Sequence, residues 1–255
     1  MPQTATRGGV GSSEGRKMKN RYKKLVEFSD KKLKTILRIL PKRNRSEPPA
    51  MESNDIIFKF QPEKTVQVAA MFLKLHGRGM KYLGLLKLIY MADRLALEKI
   101  NQPLTGDTYV SMKYGPVLSR IYDFIKGTTS FNNEQDALNI WKKYILTPNN
   151  YSAPLQLSYE VILLKDPGSE ELSEEEEEII EEIYKKCGNY DRFDLANMTH
   201  NFPEWQNPQT LNSSQKVVPI ENIKILQVIG KNKEEINEIR QIVERKKYLD
   251  ELSNG

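Results

Sequence analysis

Apolar residues recur along this chain at spacings of three and four over several stretches, and alternate with polar residues over one. From Tyr22 to Leu40, the residues Leu25, Phe28, Leu33, Ile36, Leu37 and Leu40 fall near one helical face. Lys23, Lys24, Lys31, Lys32, Lys34 and Arg38 lie elsewhere, which predicts a basic amphipathic helix. Pro41 ends it, and the charged, proline-containing run to Pro49 reads as a linker. Pro62 opens a second helix through His76, with Val66, Ala69, Ala70, Phe72 and Leu73 inward and Gly77 and Gly79 stopping it. Met80 to Ile100 is apolar around most of its circumference, which predicts a central helix packed on several sides. Pro116 is read as the start of a helix through Lys126, ended by Gly127, with Val117, Leu118, Ile121, Phe124 and Ile125 buried.

Further on, Ala137 to Ile145 is amphipathic, whereas Leu155, Leu157, Tyr159, Val161 and Leu163 alternate as in a strand. Ser173 followed by Glu176 forms a capping box for an acidic helix that closes with Lys185 and Lys186 before Gly188. A last helix, Lys233 to Leu252, carries Ile236, Ile239, Val243 and Leu249 on one side, with Asn232 and Glu235 as its capping pair. Residues 1–20 lack apolar periodicity and are expected to be disordered. The fold class is therefore mainly α: a compact helical domain with a small β element, flanked by an N-terminal basic amphipathic helix and a C-terminal charged helix. Three regions follow, 1–50, 51–210 and 211–255, with Met51 a candidate initiator and residues 1–50 either an extension or an accessory element.

Between the central helix and the next lies Leu104-Thr105-Gly106-Asp107-Thr108-Tyr109-Val110-Ser111-Met112-Lys113-Tyr114-Gly115-Pro116-Val117. Gly106 and Gly115 permit positive φ, Pro116 restricts itself and Gly115, and Tyr109 and Tyr114 each offer a broad ring with a polar tip. The segment reads as an ordered, shaped connector.

Charge divides the chain unevenly. Residues 1–50 carry 14 Lys and Arg against 4 Asp and Glu, a balance of +10, so of the total of 39 and 34 the remainder holds 25 and 30, or −5. A basic lead segment suits nucleic acid, an anionic membrane surface or an acidic protein. The longest apolar run, Tyr82 to Tyr90, is broken by Lys87 and too short to span a bilayer, so no transmembrane segment is expected. No secretory signal core is visible and Cys187 is the sole cysteine, which together favour the cytoplasm.

Chemistry is sparse. Asp93 and Asp107 are the one candidate pair of acids, but the structural reading is the stronger: Asp107 satisfying donors in a turn, Asp93 pairing with Arg94, Arg120 or a tyrosine hydroxyl. His76, His200 and Cys187 are too few for a recognised metal site, and no phosphate-binding glycine motif occurs, so neither metal nor cofactor is expected. Cys187 reads as an inert, partly buried thiol and His200, near Trp205, as packed or capping. Tyr82, Tyr90, Tyr109, Tyr114 and Tyr122 divide between core packing and a contact face. Glu174 to Glu178 is a solvated helix start or an acidic contact patch.

The run Leu85-Leu86-Lys87-Leu88-Ile89-Tyr90-Met91-Ala92-Asp93-Arg94, the glycine- and proline-framed connector, Leu118 to Gly127, and the later Leu195-Ala196-Asn197-Met198-Thr199-His200 with Pro203-Glu204-Trp205 together resemble the Panacea, or SocA-like, antitoxin domain over roughly residues 58 to 208. The resemblance implies an antitoxin of a type II-like pair, not an enzyme, that neutralises a cognate toxin by direct protein contact. It leaves open a proteolytic adaptor presenting the toxin to a protease, a nucleic-acid-binding regulator acting through the basic N-terminus, a homo-oligomer and, last, a small-molecule enzyme. Asp93, Gly106, Asp107, Gly115, Pro116 and Tyr122 are the expected structural motif. Tyr109, Lys113, Tyr114 and Arg120 are expected to form or support the partner-contacting surface.

Overall fold

The computed structural model describes residues 55–130, 134–148, 159–211 and 216–253, and the expected basic helix at Tyr22–Leu40 lies outside them. Helix α1 (Pro62–Leu75) starts on Pro62, as the sequence predicts, and buries Val66, Ala69, Ala70, Phe72 and Leu73. Its end at His76 is followed by two left-handed residues, Gly77 at φ 92° and Arg78 at φ 81°. Strand β1 (Gly79–Lys81) then delays the central helix α2, which runs Tyr82–Ile100. Met80 was expected inside that helix; instead its backbone pairs with Val161 of β5 (Glu160–Leu163). The ladder satisfies donors and acceptors that a helix start would leave open. The residues expected to begin this strand, Leu155 and Leu157, lie outside the described residues.

Helix α2 is buried without interruption from Tyr82 to Asp93, so it cannot be amphipathic in the ordinary sense. It packs on α1, on α5 (Glu174–Cys187) and on α6 (Arg192–Thr199). Truncating a fully buried leucine on it, as in Leu86→Ala, costs about 2–5 kcal/mol in transfer and cavity terms.

The connector folds as a hairpin of β2 (Tyr109–Met112) and β3 (Gly115–Leu118), with Ser111 opposite Pro116. Pro116 therefore lies in a strand rather than at a helix start, and α3 begins at Ser119 and runs to Ile125. A proline survives there because β3 is the outer strand of a sheet ordered β3-β2-β6, where a missing N–H breaks no ladder. Gly127, at φ 74°, follows the end of α3 as expected. Helix α4 (Gln135–Tyr144) buries Ala137, Leu138 and Trp141, then passes into β4 (Ile145–Leu146), the last strand of the sheet β1-β5-β4.

The capping box of α5 forms reciprocally, with Glu176 N donating to Ser173 Oγ at 3.3 Å and Ser173 N to Glu176 Oε2 at 3.0 Å. Glu176 is buried rather than solvated, because Lys64 Nζ reaches its other oxygen at 2.6 Å. After the one-turn α7 (Pro208–Leu211), β6 (Val218–Ile220) completes the hairpin's sheet. Helix α8 (Asn222–Val228) then receives Asp55, whose carboxylate accepts from Asn222 N and Ile223 N. Helix α9 (Lys233–Ser253) opens with the predicted Asn232 and Glu235 exchange, at 2.8 and 2.9 Å. Only its first half is covered: Ile236 and Ile239 are buried, whereas Leu249, expected on the same face, is 57% exposed.

Candidate functional site

The hairpin is fixed from inside by two carboxylates. Asp93, on α2 and fully buried, accepts Leu104 N at 3.0 Å and Thr105 N at 3.1 Å on Oδ1, and Thr105 Oγ1 at 2.6 Å and Tyr109 OH at 2.9 Å on Oδ2. Burial pushes its carboxyl up to about 7, opposed by the hydrogen bonds from Thr105 and Tyr109. Asp107 takes Thr108 N at 2.6 Å and, from the start of α3, Arg120 N at 3.0 Å and Ile121 N at 3.1 Å. It too is raised by burial, to about 6, against the pull of the Arg120 guanidinium 3.6 Å away. Each aspartate thus joins two separate pieces of chain, Asp93 tying α2 to the loop and Asp107 tying the loop to α3. Asp107 was expected to serve its own turn; it also caps the next helix.

The two glycines are demanded by space as well as by φ. A Cβ on Gly106, at φ 67°, would collide with the carbonyl of Lys59. One on Gly115, at φ 91°, would collide with Thr199 Oγ1 and approach Lys87 Nζ to 2.9 Å. Lys87 is a residue whose role the sequence reading missed. It is fully buried on α2, and its ammonium donates to Pro116 O at 2.6 Å. Burial holds it well below the usual lysine range. Its one signal in the sequence is the lone charge within the apolar run Tyr82–Tyr90.

A second clamp comes from residues 200–206. Trp205 Nε1 donates to Met112 O at 3.0 Å, Gln206 N to Ser111 Oγ at 3.1 Å, and the Trp205 ring stacks on His200 at 4.1 Å. Glu204, also unanticipated, sits with no exposed side chain and accepts from Tyr90 OH at 3.0 Å and Arg94 Nε at 2.8 Å. Arg94 in turn lies 4.5 Å over the Phe202 ring.

Of the residues expected to form or support a contact surface, Tyr109 is 2% exposed and meets Tyr90 edge-on at 5.5 Å, so its place is inside the fold as a support. Arg120 is largely covered, pairing Nε with Glu134 Oε1 at 2.5 Å and lying 5.1 Å over Phe60. Lys113 and Tyr114 occupy the tip between β2 and β3, half-buried, with the Lys113 ammonium 5.9 Å from the Tyr114 ring. Tyr122, on α3, is partly exposed and carries Lys126 at 4.2 Å over its ring. Cys187 is a buried free thiol. Among the described residues no cluster of three His, Cys, Asp or Glu side chains gathers to hold a metal, and no helix is long and apolar enough to cross a membrane.

The tie points just described fall within one recognised segment. Residues 85–206 match the family model described as Antitoxin SocA-like, Panacea domain. That span runs from the start of the Leu85–Arg94 motif through the hairpin to Gln206, and so takes in Lys87, Asp93, Asp107, Glu204 and Trp205. Searches of curated proteins and of solved structures gave no match.

Proposed function

We propose, from the similarity of residues 85–206 to SocA-like antitoxins, that this chain is an antitoxin that neutralises a cognate toxin protein by direct contact. The similarity is the observation that carries the reading. The chemistry of the hairpin supports it: the oxygens of Asp93 and Asp107 accept from the chain's own donors, which suits carboxylates that hold a surface in shape. On this reading Lys113 and Tyr114, at the tip, belong to the contact face, while Tyr109 and Arg120 support it from below.

The test is co-expression with the product of the adjacent gene. The wild-type chain should restore growth and co-purify with that product, and alanine at Lys113 and Tyr114 together should weaken both while the fold is retained. Absence of any association between the wild-type chain and its neighbour would remove the reading. The +10 balance of residues 1–50 favours a second role, binding of the chain to its own promoter DNA. A salt-dependent mobility shift that disappears on deleting residues 1–50 would establish it.

A further inference from the structure

Helix α9 carries more apolar surface than the fold covers. Among the described residues eight large apolar side chains are exposed, and five of them, Ile57, Ile242, Tyr248, Leu249 and Leu252, lie on this helix or on the segment beside it. Exposed apolar residues are ordinarily scattered singly, so a gathering of this kind marks an interaction site. Ile57 and Ile242 stand on a groove of about 800 Å³ between α9, residues 57–61 and the turn that follows α2 at residues 100–103. Ile100, Pro103, Ile239 and Val243 add to its apolar wall. Leu249 lies seven residues beyond Ile242 and so on the same side of the helix, while Leu252 and Tyr248 continue the apolar surface around it as three- and four-residue neighbours. From Ile242 to Leu252 the apolar surface extends over about 15 Å of helix, a length suited to a second helix rather than to a small molecule.

The same face is basic in a body that is not. Lys59, Lys246 and Lys247 stand on the groove lining against Asp250 and Glu251, and Arg245 follows between Ile242 and Leu249 on the outer side of the helix. Asp250 is already held by Lys59 at 2.7 Å, with Lys246 adding a weaker pull on its carboxyl. Arg245, Lys246 and Lys247 are all exposed, whereas residues 51–255 as a whole carry −5.

We infer that the α9 groove is the docking site for an acidic amphipathic helix of a partner protein. The apolar stripe of that helix packs on Ile57, Ile242 and Leu249, and its flanking carboxylates meet Arg245, Lys246 and Lys247. Charge decides against a second copy of this chain. Two copies joined about the middle of the stripe would set Arg245, Lys246 and Lys247 of one against the same cations of the other, and like charges facing each other weaken association. Shape decides against a lipid surface, because a flat bilayer leaves a concave groove unfilled whereas a helix about 10 Å across occupies it. The inference stands apart from the antitoxin reading: the hairpin tip adds nothing to the lining, and α9 and residues 57–61 lie outside the matched span 85–206.

The test uses the full chain and two labelled helical peptides followed by fluorescence anisotropy, one with Leu at spacings of three and four and Glu between, the other with Lys in place of Glu. The acidic peptide should bind and the basic one should not. Ile242→Glu and Leu249→Glu should each weaken the acidic peptide about tenfold, the size of one apolar anchor lost. Lys246→Glu combined with Lys247→Glu should lose the acidic peptide and gain the basic one, a reversal that mere destabilisation does not produce. Leu75→Glu, at an exposed apolar position on α1, is the control and should leave binding unchanged. All the positions changed are exposed, and thermal melts confirm that each variant is folded. No binding of the acidic peptide to wild type, or equal binding to wild type and Ile242→Glu, overturns the inference. A dimer in sedimentation that Ile242→Glu dissociates overturns it in favour of a second copy. Binding to phosphatidylglycerol vesicles in place of the peptide, lost in Ile242→Glu, overturns it in favour of lipid. A benzophenone side chain at Leu249 that cross-links to the acidic peptide supports the inference, and cross-links confined to residues 1–54 of the same chain overturn it. None of these outcomes involves the adjacent gene product, so this inference and the antitoxin reading can fail separately.

Discussion

The Tyr109 hydroxyl donates to Asp93 Oδ2 at 2.9 Å across the interface between the hairpin and the central helix, with both side chains out of water. A buried hydrogen bond to a carboxylate contributes about 1.5–3 kcal/mol, and removing the donor leaves the ring's packing intact. Tyr109→Phe should therefore lower unfolding stability by about that amount, read as a shift in urea midpoint at unchanged slope. Because Tyr109 is inside, on the proposed antitoxin role any growth rescue by this variant should persist at low temperature and fail first on warming.

Stability should depend on pH through the same aspartates. Their ordinary value is 3.8, and in the folded chain burial raises Asp93 to about 7 and Asp107 to about 6. A raised acid favours the folded state when protonated. Its contribution is thus fully present below about 3.8 and is lost as pH rises through about 6 for Asp107 and about 7 for Asp93. Urea unfolding from pH 4 to 8 should show a decline over this window. The difference curve between wild type and Asp93→Asn should isolate the Asp93 part, and parallel curves would refute the assignment.

Gly115→Ala should be among the most damaging small substitutions in the chain. It places a side chain at φ 91° and against Thr199 Oγ1 and Lys87 Nζ at once. Strain of this type costs about 1–3 kcal/mol before the clash is counted. Gly79→Ala makes the control, since its Cβ would find ordinary contacts at 3.5 and 3.6 Å. Thermal denaturation of the two variants should separate them clearly.

Lys87 supplies the opposite pH response. A buried base held below its ordinary value of 10.5 gives stability that is lost as pH falls and regained as pH rises towards that value. Lys87→Met, close in volume and uncharged, should abolish the alkaline gain. It should be neutral or stabilising at pH 7, because it replaces a buried cation that has no paired carboxylate among the described residues.

Much of this architecture was legible in the order of residues, and the rest fails for identifiable reasons. The Ser173 and Asn232 caps, the Pro62 start and the Gly127 stop depend on local chemistry and are where periodicity places them. Pro116 misleads because proline suits both a helix start and an outer strand, and only the pairing with Ser111 decides between them. Met80 misleads because its strand partner, Val161, stands about eighty residues away along the chain. At the site, Asp93 with a tyrosine hydroxyl was foreseeable, since a buried carboxylate needs donors. The burial of Tyr109 was not, since aromatic residues serve core and surface equally well. The roles of Lys87 and Glu204 were not foreseen: Lys87's only cue is its place in an apolar run, and nothing beside Glu204 marks it as a charge that will be enclosed.

The position of Pro116 also limits how anything can approach the hairpin. This residue has no N–H to offer, and its carbonyl is already claimed by Lys87. The free margin of the sheet is thereby closed at that point to main-chain pairing with an incoming extended peptide. At that position an approaching ligand has to engage the sheet margin through side chains, so a change of side chain there alters what can bind without any change of backbone.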